Sequence, residues 1–208
     1  MKKVLTFVAV AAASLSFVAC GSNNAKEIDS LSYAIGADIG LNLSLGMKDI
    51  NLDREIVLAN IKDFYKNGNL EGEEIVEARK RMNEFQASRM MPYLNAKRIQ
   101  SFQKTDRPDT LPALPALFDE EFTREEVSRL VGTNMGGWVK SIDREMHIAS
   151  VLRAVEDGLK LQSVEEMDSL MLLTGDQMRA AFMTLQAEQQ KKYEQQQAEK
   201  EAIKIAEA

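Results

Sequence analysis

The chain has one cysteine, one histidine and one tryptophan in 208 residues, and only four prolines. A single cysteine excludes an intrachain disulfide. A single histidine, His147, leaves neither a histidine-based metal site nor a Ser-His-Asp constellation enough to draw on. His147 stands near a helix start and reads as a solvated or capping residue. Strand-type alternation is scarce after residue 26, which argues against a sheet. No glycine-rich phosphate loop is present: Gly132, Gly136 and Gly137 lack the lysine and the preceding strand that such a loop needs. Glu120 with Glu121, and Glu165 with Glu166, are adjacent, so on a helix they point apart and read as capping and solubility rather than a general acid and base. No catalytic residue, metal or cofactor is expected. With 26 basic against 32 acidic residues and a net charge of −6, the chain also has no surplus of positive charge for nucleic acid or an acidic lipid surface.

What the chain does have begins at its N-terminus, MKKVLTFVAVAAASLSFVAC. Lys2 and Lys3 precede an apolar run from Val4 to Ala13 and then small residues, the layout of a secretory signal peptide, too short to span a bilayer. Its end, FVAC, resembles the lipobox of bacterial lipoproteins, with Phe17 in place of the usual leucine. That resemblance implies cleavage after residue 19 and acylation of Cys20, with 20–27 as a lipidated tether. Acyl carbons contribute about 0.8 kcal/mol each when buried, so the anchor is stable. Gly21 after the cysteine resembles outer-membrane lipoproteins, which implies a periplasm-facing chain with surface exposure as the other possibility.

Two glycine pairs come next. YAIGADIG places Gly36 and Gly40 one turn apart, and RLVGTNMG does the same with Gly132 and Gly136. Each glycine costs roughly 1 kcal/mol against alanine inside a helix, so each needs a compensating role. Each pair is followed by an amphipathic segment, with Val57, Ile61 and Phe64 on one face in the first and Ile148, Val151, Leu152, Val155 and Leu159 in the second. A long third helix closes each unit, from Glu73 to about Gln103 and from Asp176 to about Ala206. The order occurs twice, which indicates an internal duplication of about 75 to 85 residues. Thr123 with Glu126, Ser163 with Glu166 and Thr174 with Gln177 have capping-box spacing, and Phe122 with Val127 that of a hydrophobic staple. SVEEMDSLMLL reads as a short added helix in the second unit. Three of the four prolines lie between the units, marking a linker over 105–121 between repeats at 28–104 and 122–208.

These segments, in this order and in two copies, resemble the N-terminal dimerisation domain of FKBP-type peptidyl-prolyl isomerases, including the macrophage infectivity potentiator proteins. In that family two such domains intertwine, and the long third helix carries a separate catalytic domain. The resemblance implies an all-α fold of two tandem three-helix repeats, forming an intrachain pseudo-dimer or an intertwined dimer. It also implies that Gly36, Gly40, Gly132 and Gly136 sit where helices cross closely. The strand pattern and aromatic proline pocket of the catalytic domain have no counterpart here, since the sequence after Thr174 is helical to its end. The expectation is therefore a non-catalytic chaperone for unfolded or nascent envelope proteins. The alternatives are a subunit that pairs with and tethers a full-length isomerase, or a structural helical lipoprotein. Eleven methionines suit adaptable apolar surfaces.

Overall fold

The structure, a computed structural model, describes residues 28–102, 111 and 113–206. The expected leader, Cys20 and the expected tether, the end of the first expected repeat at 103–104, and linker residues 105–110 and 112 lie outside the described residues. No strand occurs among the described residues. The first half contains α1 (Ser30–Leu41), α2 (Arg54–Asn67) and a long third helix. That helix is built from α3 (Glu73–Phe85) and α4 (Met91–Phe102), joined by a π turn at Gln86–Met90. The second half contains α5 (Arg124–Ser141), α6 (Ile148–Gly158), a short α7 (Met167–Leu170) and α8 (Gly175–Ala206).

Helix ends follow from side chains that satisfy the first free amides. Asp29 accepts from Ser32 N at 2.7 Å to start α1, and Asp53 accepts from Glu55 N and Ile56 N to start α2. Thr123 caps α5 through Glu126 N at 3.1 Å, with Phe122 and Val127 both buried beside it. Thr174 and Gln177 make the full reciprocal box, each side chain bonding the other's backbone amide. Ser163 and Glu166 do not. That segment opens as a tight 3₁₀ turn at Val164–Glu166, and Glu166 turns back to accept from Gln162 N at 2.9 Å.

The halves exchange their first helices. α1 packs on α6 and α8 of the second half, α5 packs on α2 and α3 of the first, and α2 meets α6 between them. Every helix 1 is thus clasped by helices 2 and 3 of the other half, so the chain forms a pseudo-dimer with itself. α1 is apolar nearly all round and is buried from Leu31 to Ala37 and again at Ile39 and Gly40, with Asp38 exposed. One core runs through Ile35, Ile39, Val57, Ile61, Phe85, Val127, Leu130, Val151 and Val155. A second gathers Tyr33, Ala34, Ala37, Ala154, Leu161, Met171 and Met178.

The near end of the linker is docked. Phe118 and Phe122 pack on Phe85 at centroid distances of 6.2 and 5.5 Å, and Arg81 lies 4.3 Å above the Phe122 ring. Arg89 pairs with Asp119 at 2.7 Å and Glu121 at 2.9 Å. The Phe122 amide, followed by Arg89, holds the Asp119 carboxyl below the usual carboxylate range.

The long third helices differ. Pro92 cannot donate to the carbonyl of Ser88 and its ring crowds that position. The chain widens into the π turn just before it, and Arg89 donates to Ser88 O at 3.4 Å. α8 has no proline and runs as one 32-residue helix, about 48 Å long at 1.5 Å per residue.

Candidate functional site: two glycine crossings and the arms beyond them

The four glycines named from the sequence lie at the two places where exchanged helices cross. A Cβ at Gly36 would stand 2.2 Å from the carbonyl oxygen of Val151 and 2.9 Å from Ala154 Cβ. At Gly40 it would meet Val155 O at 2.7 Å and the Cα of Gly158 at 2.8 Å. In the other crossing, a Cβ at Gly132 would meet Val57 O and Asn60 Cβ, both at 2.6 Å, and one at Gly136 would meet Ile61 O at 2.8 Å. Backbone cannot give way as a flexible side chain can, so these positions admit hydrogen only. The offsets between equivalent contacts hold throughout: Val57 answers to Val151, Asn60 to Ala154, Ile61 to Val155 and Phe64 to Gly158.

One turn before each first glycine stands a fully buried serine, which the glycine spacing alone does not reveal. Ser32 Oγ accepts from the backbone N–H of His147 at 2.9 Å, and Ser128 Oγ accepts from that of Asp53 at 2.8 Å. His147 and Asp53 are the N-cap residues of α6 and α2. Each first helix thereby satisfies a donor at the start of the helix it crosses, and buried donors left unpaired are costly. The available signal was a repeated S-x3-G-x3-G, at 32, 36 and 40 and at 128, 132 and 136.

The α1 crossing carries a polar cluster that the α5 crossing does not match. Tyr33 Oη donates to Asp157 Oδ2 at 3.0 Å and accepts from Leu172 N at 2.8 Å. Asp157 also takes Arg153 Nε at 3.0 Å and Lys160 Nζ at 3.6 Å, so this 4%-exposed carboxylate is paired from several sides. Burial, and then the neighbouring Asp157, push the Tyr33 phenol far above its ordinary value, against the lowering effect of the Leu172 amide. The cluster is a lock joining α1, α6 and the segment ahead of α8, with its ionisable groups committed to one another. His147 is exposed and places Nδ1 2.7 Å from Ser150 Oγ, closing the first turn of α6. Among the described residues no group of three or more His, Cys, Asp or Glu is arranged to hold a metal ion.

Beyond the crossings, both third helices return past the loop that joins helices 1 and 2 of their own half. Lys97 pairs with Asp49 there, and in the second half Lys192 pairs with Asp143 at 2.7 Å while Arg144 meets Glu188 at 3.0 Å. α4 buries no residue, and α8 is exposed throughout from Gln186 to Glu201. Met91, Ile99 and Phe102 on α4 and Met183, Tyr193 and Ile203 on α8 are open to solvent, Phe102 at 75%.

No curated protein matches the chain, and no solved structure does. A family model does match, over residues 28–106 and again over 124–207, and its description is the domain amino terminal to FKBP-type peptidyl-prolyl isomerase. The two matched segments are the two halves that exchange helices, and the chain belongs to that family, carrying its domain twice.

Proposed function

We propose that this chain is a membrane-anchored, periplasm-facing protein-folding factor at the outer membrane, acting as a non-catalytic chaperone for unfolded or nascent envelope proteins. The observation that carries this reading is the pair of arms: two long helices leave a self-contained helical core with large apolar side chains uncovered. On α4, Met91 and Ile99 are two turns apart and Phe102 follows Ile99 at i+3, so one face presents a thioether, an aliphatic and an aromatic group. Such a face suits extended apolar segments of varied sequence. The arms' polar remainder keeps the chain soluble, and Cys20 supplies the anchor.

The partner-subunit reading, in which a repeat pairs with the matching domain of a full-length isomerase, is disfavoured by the exchange itself. Both crossing surfaces are filled from within the same chain, with backbone against backbone. A foreign repeat would first have to expel half of the fold.

The test uses the chain from Gly21 onward, mixed with a reduced, aggregating client whose aggregation does not depend on proline isomerisation. Light scattering is expected to fall at near-stoichiometric ratios, and an Ile99→Ser/Phe102→Ser variant to protect less well. No suppression by the unaltered chain overturns the chaperone reading, and capture of a full-length isomerase by subunit exchange would then favour the alternative.

A further inference from the structure

The two crossings are not interchangeable copies. Directly after the second crossing glycine, α1 has Leu41 and α5 has Gly137. Opposite that glycine, α2 presents Phe64 and α6 presents Gly158. Each crossing pairs one large residue with one glycine at this place, but the large residue sits on opposite partners. A Cβ on Gly137 would stand 2.8 Å from Ile75 Cδ1 and 3.4 Å from Phe64 Cε1, so the phenyl ring and the isoleucine already occupy the space that a side chain there would need. At the other crossing a Cβ on Gly158 would meet Gly40 Cα at 2.7 Å and Leu41 N at 3.0 Å, while Leu41 is partly buried against the second core.

We infer that Phe64 with Gly137, and Leu41 with Gly158, make the two halves a matched pair in which each first helix fits the second helix of the other half and is shut out from its own. Laying α1 on α2 in the observed register would put Leu41 where Gly137 now lies, onto Phe64 and Ile75. Laying α5 on α6 would put Gly137 opposite Gly158, with a side chain from neither, and voids between packed helices are destabilising. The glycine pairs and serines common to both crossings supply close approach, and this large-small exchange supplies the choice of partner. The occupant of each surface is therefore the other half of this chain. A helix suited to α2 must carry glycine after its second crossing glycine, whereas one suited to α6 carries a bulky apolar residue there.

The inference does not depend on chaperone activity and is tested by a double-mutant cycle in the whole chain from Gly21 onward. Gly137→Leu gives α5 the α1 residue at this place and is expected to lower Tm by about 10 °C. Phe64→Ala gives α2 an α6-like surface and is expected to lower Tm by a similar amount, about 10 °C, through the void it opens. The double variant is expected to lose at least about 5 °C less than the two singles together, since leucine then fills the space left by the ring. Losses that simply add would overturn the matched-pair inference. Should Gly137→Leu fail to fold, Gly137→Ala with Phe64→Leu poses the same question mildly, because the nearest obstacle to the new methyl is the movable end of Ile75. Additive losses in that milder pair would overturn the inference equally.

Discussion

The α1 and α5 crossings share a skeleton and differ in nearly everything laid upon it. Serine, glycine and glycine recur one turn apart in both, and both press a helix backbone onto carbonyl oxygens of the other half. Around α1 the surroundings are apolar and enclosed, with glycine on both sides at Gly40 and Gly158 and a buried Tyr33–Asp157 lock. α5 crosses Asn60 and Phe64 and has more of its surface in solvent, Trp138 being 40% exposed. What the halves have in common is what close backbone approach demands, and where they differ they have adapted to unlike partners.

The sharpest way to break the comparison is a methyl group. Gly36→Ala is expected to cost more than about 3 kcal/mol, even with the roughly 1 kcal/mol that alanine returns in helix propensity. The obstacle there is a backbone oxygen at 2.2 Å. Gly136→Ala meets Ile61 O at 2.8 Å and is expected to cost about 1–3 kcal/mol. Denaturant midpoints at equal m-value give both numbers, and a Gly36→Ala no worse than Gly136→Ala would show that the backbone approach at Gly36 is not the tighter of the two.

Ser32→Ala and Ser128→Ala sharpen the shared part. Each removes the acceptor for a capping-residue amide and is expected to cost about 1–3 kcal/mol. Because the two bonds are equivalent, the two losses should agree to within about 0.5 kcal/mol. A large disparity would mean that the serines do different work in the two halves.

Much of this arrangement was legible in the residues. Helical spacing identified Val57, Ile61, Phe64, Val151 and Val155 as one-sided, and all five are buried. The glycine pairs stood out because glycine is costly in a helix interior. Which surface each face meets was not legible, since periodicity marks a stripe without naming what covers it. The apolar surface of α1 reads the same whether α2 or α6 lies against it. Ser32 and Ser128 do not stand out in the sequence, because serine is unexceptional on a helix until its backbone partner, more than 70 residues away, is known. The π turn is illegible for a different reason: Pro92 sits within an otherwise regular helical pattern, and how the chain widens ahead of it is a matter of geometry.

Tyr33→Phe tests the lock found only at the α1 crossing. Loss of its hydroxyl leaves the Leu172 amide without its acceptor and is expected to cost about 1–2 kcal/mol at neutral pH. The pH dependence follows from the raised phenol. In the unfolded chain Tyr33 ionises near pH 10, while in the folded chain it stays neutral to higher pH. The stability this difference supports is fully present below about pH 10 and is lost as pH rises beyond it. The unaltered chain should therefore lose more stability between pH 9 and pH 11 than Tyr33→Phe does. Parallel declines would show that the phenol is not held neutral by the fold.

The smallest effects separate the arms. Lys97–Asp49 and Lys192–Asp143 are exposed pairs, and each should contribute too little to see in global unfolding. Their influence belongs to local opening instead. The first arm has half-buried side chains at Tyr93, Leu94 and Ala96 as well as its clamp, whereas from Gln186 to Glu201 α8 is exposed at every residue and meets the core through Arg144–Glu188 and Lys192–Asp143. Native-state hydrogen exchange should accordingly find α3 slow, α4 intermediate and the distal half of α8 fast. Lys192→Gln should extend the fast region back toward Leu185 and Lys97→Gln should change α4 little, and raised salt should imitate the first substitution and add to it by screening Arg144–Glu188 as well. Equal responses in the two arms would mean that packing, and not charge, sets how far each helix stays attached to the core.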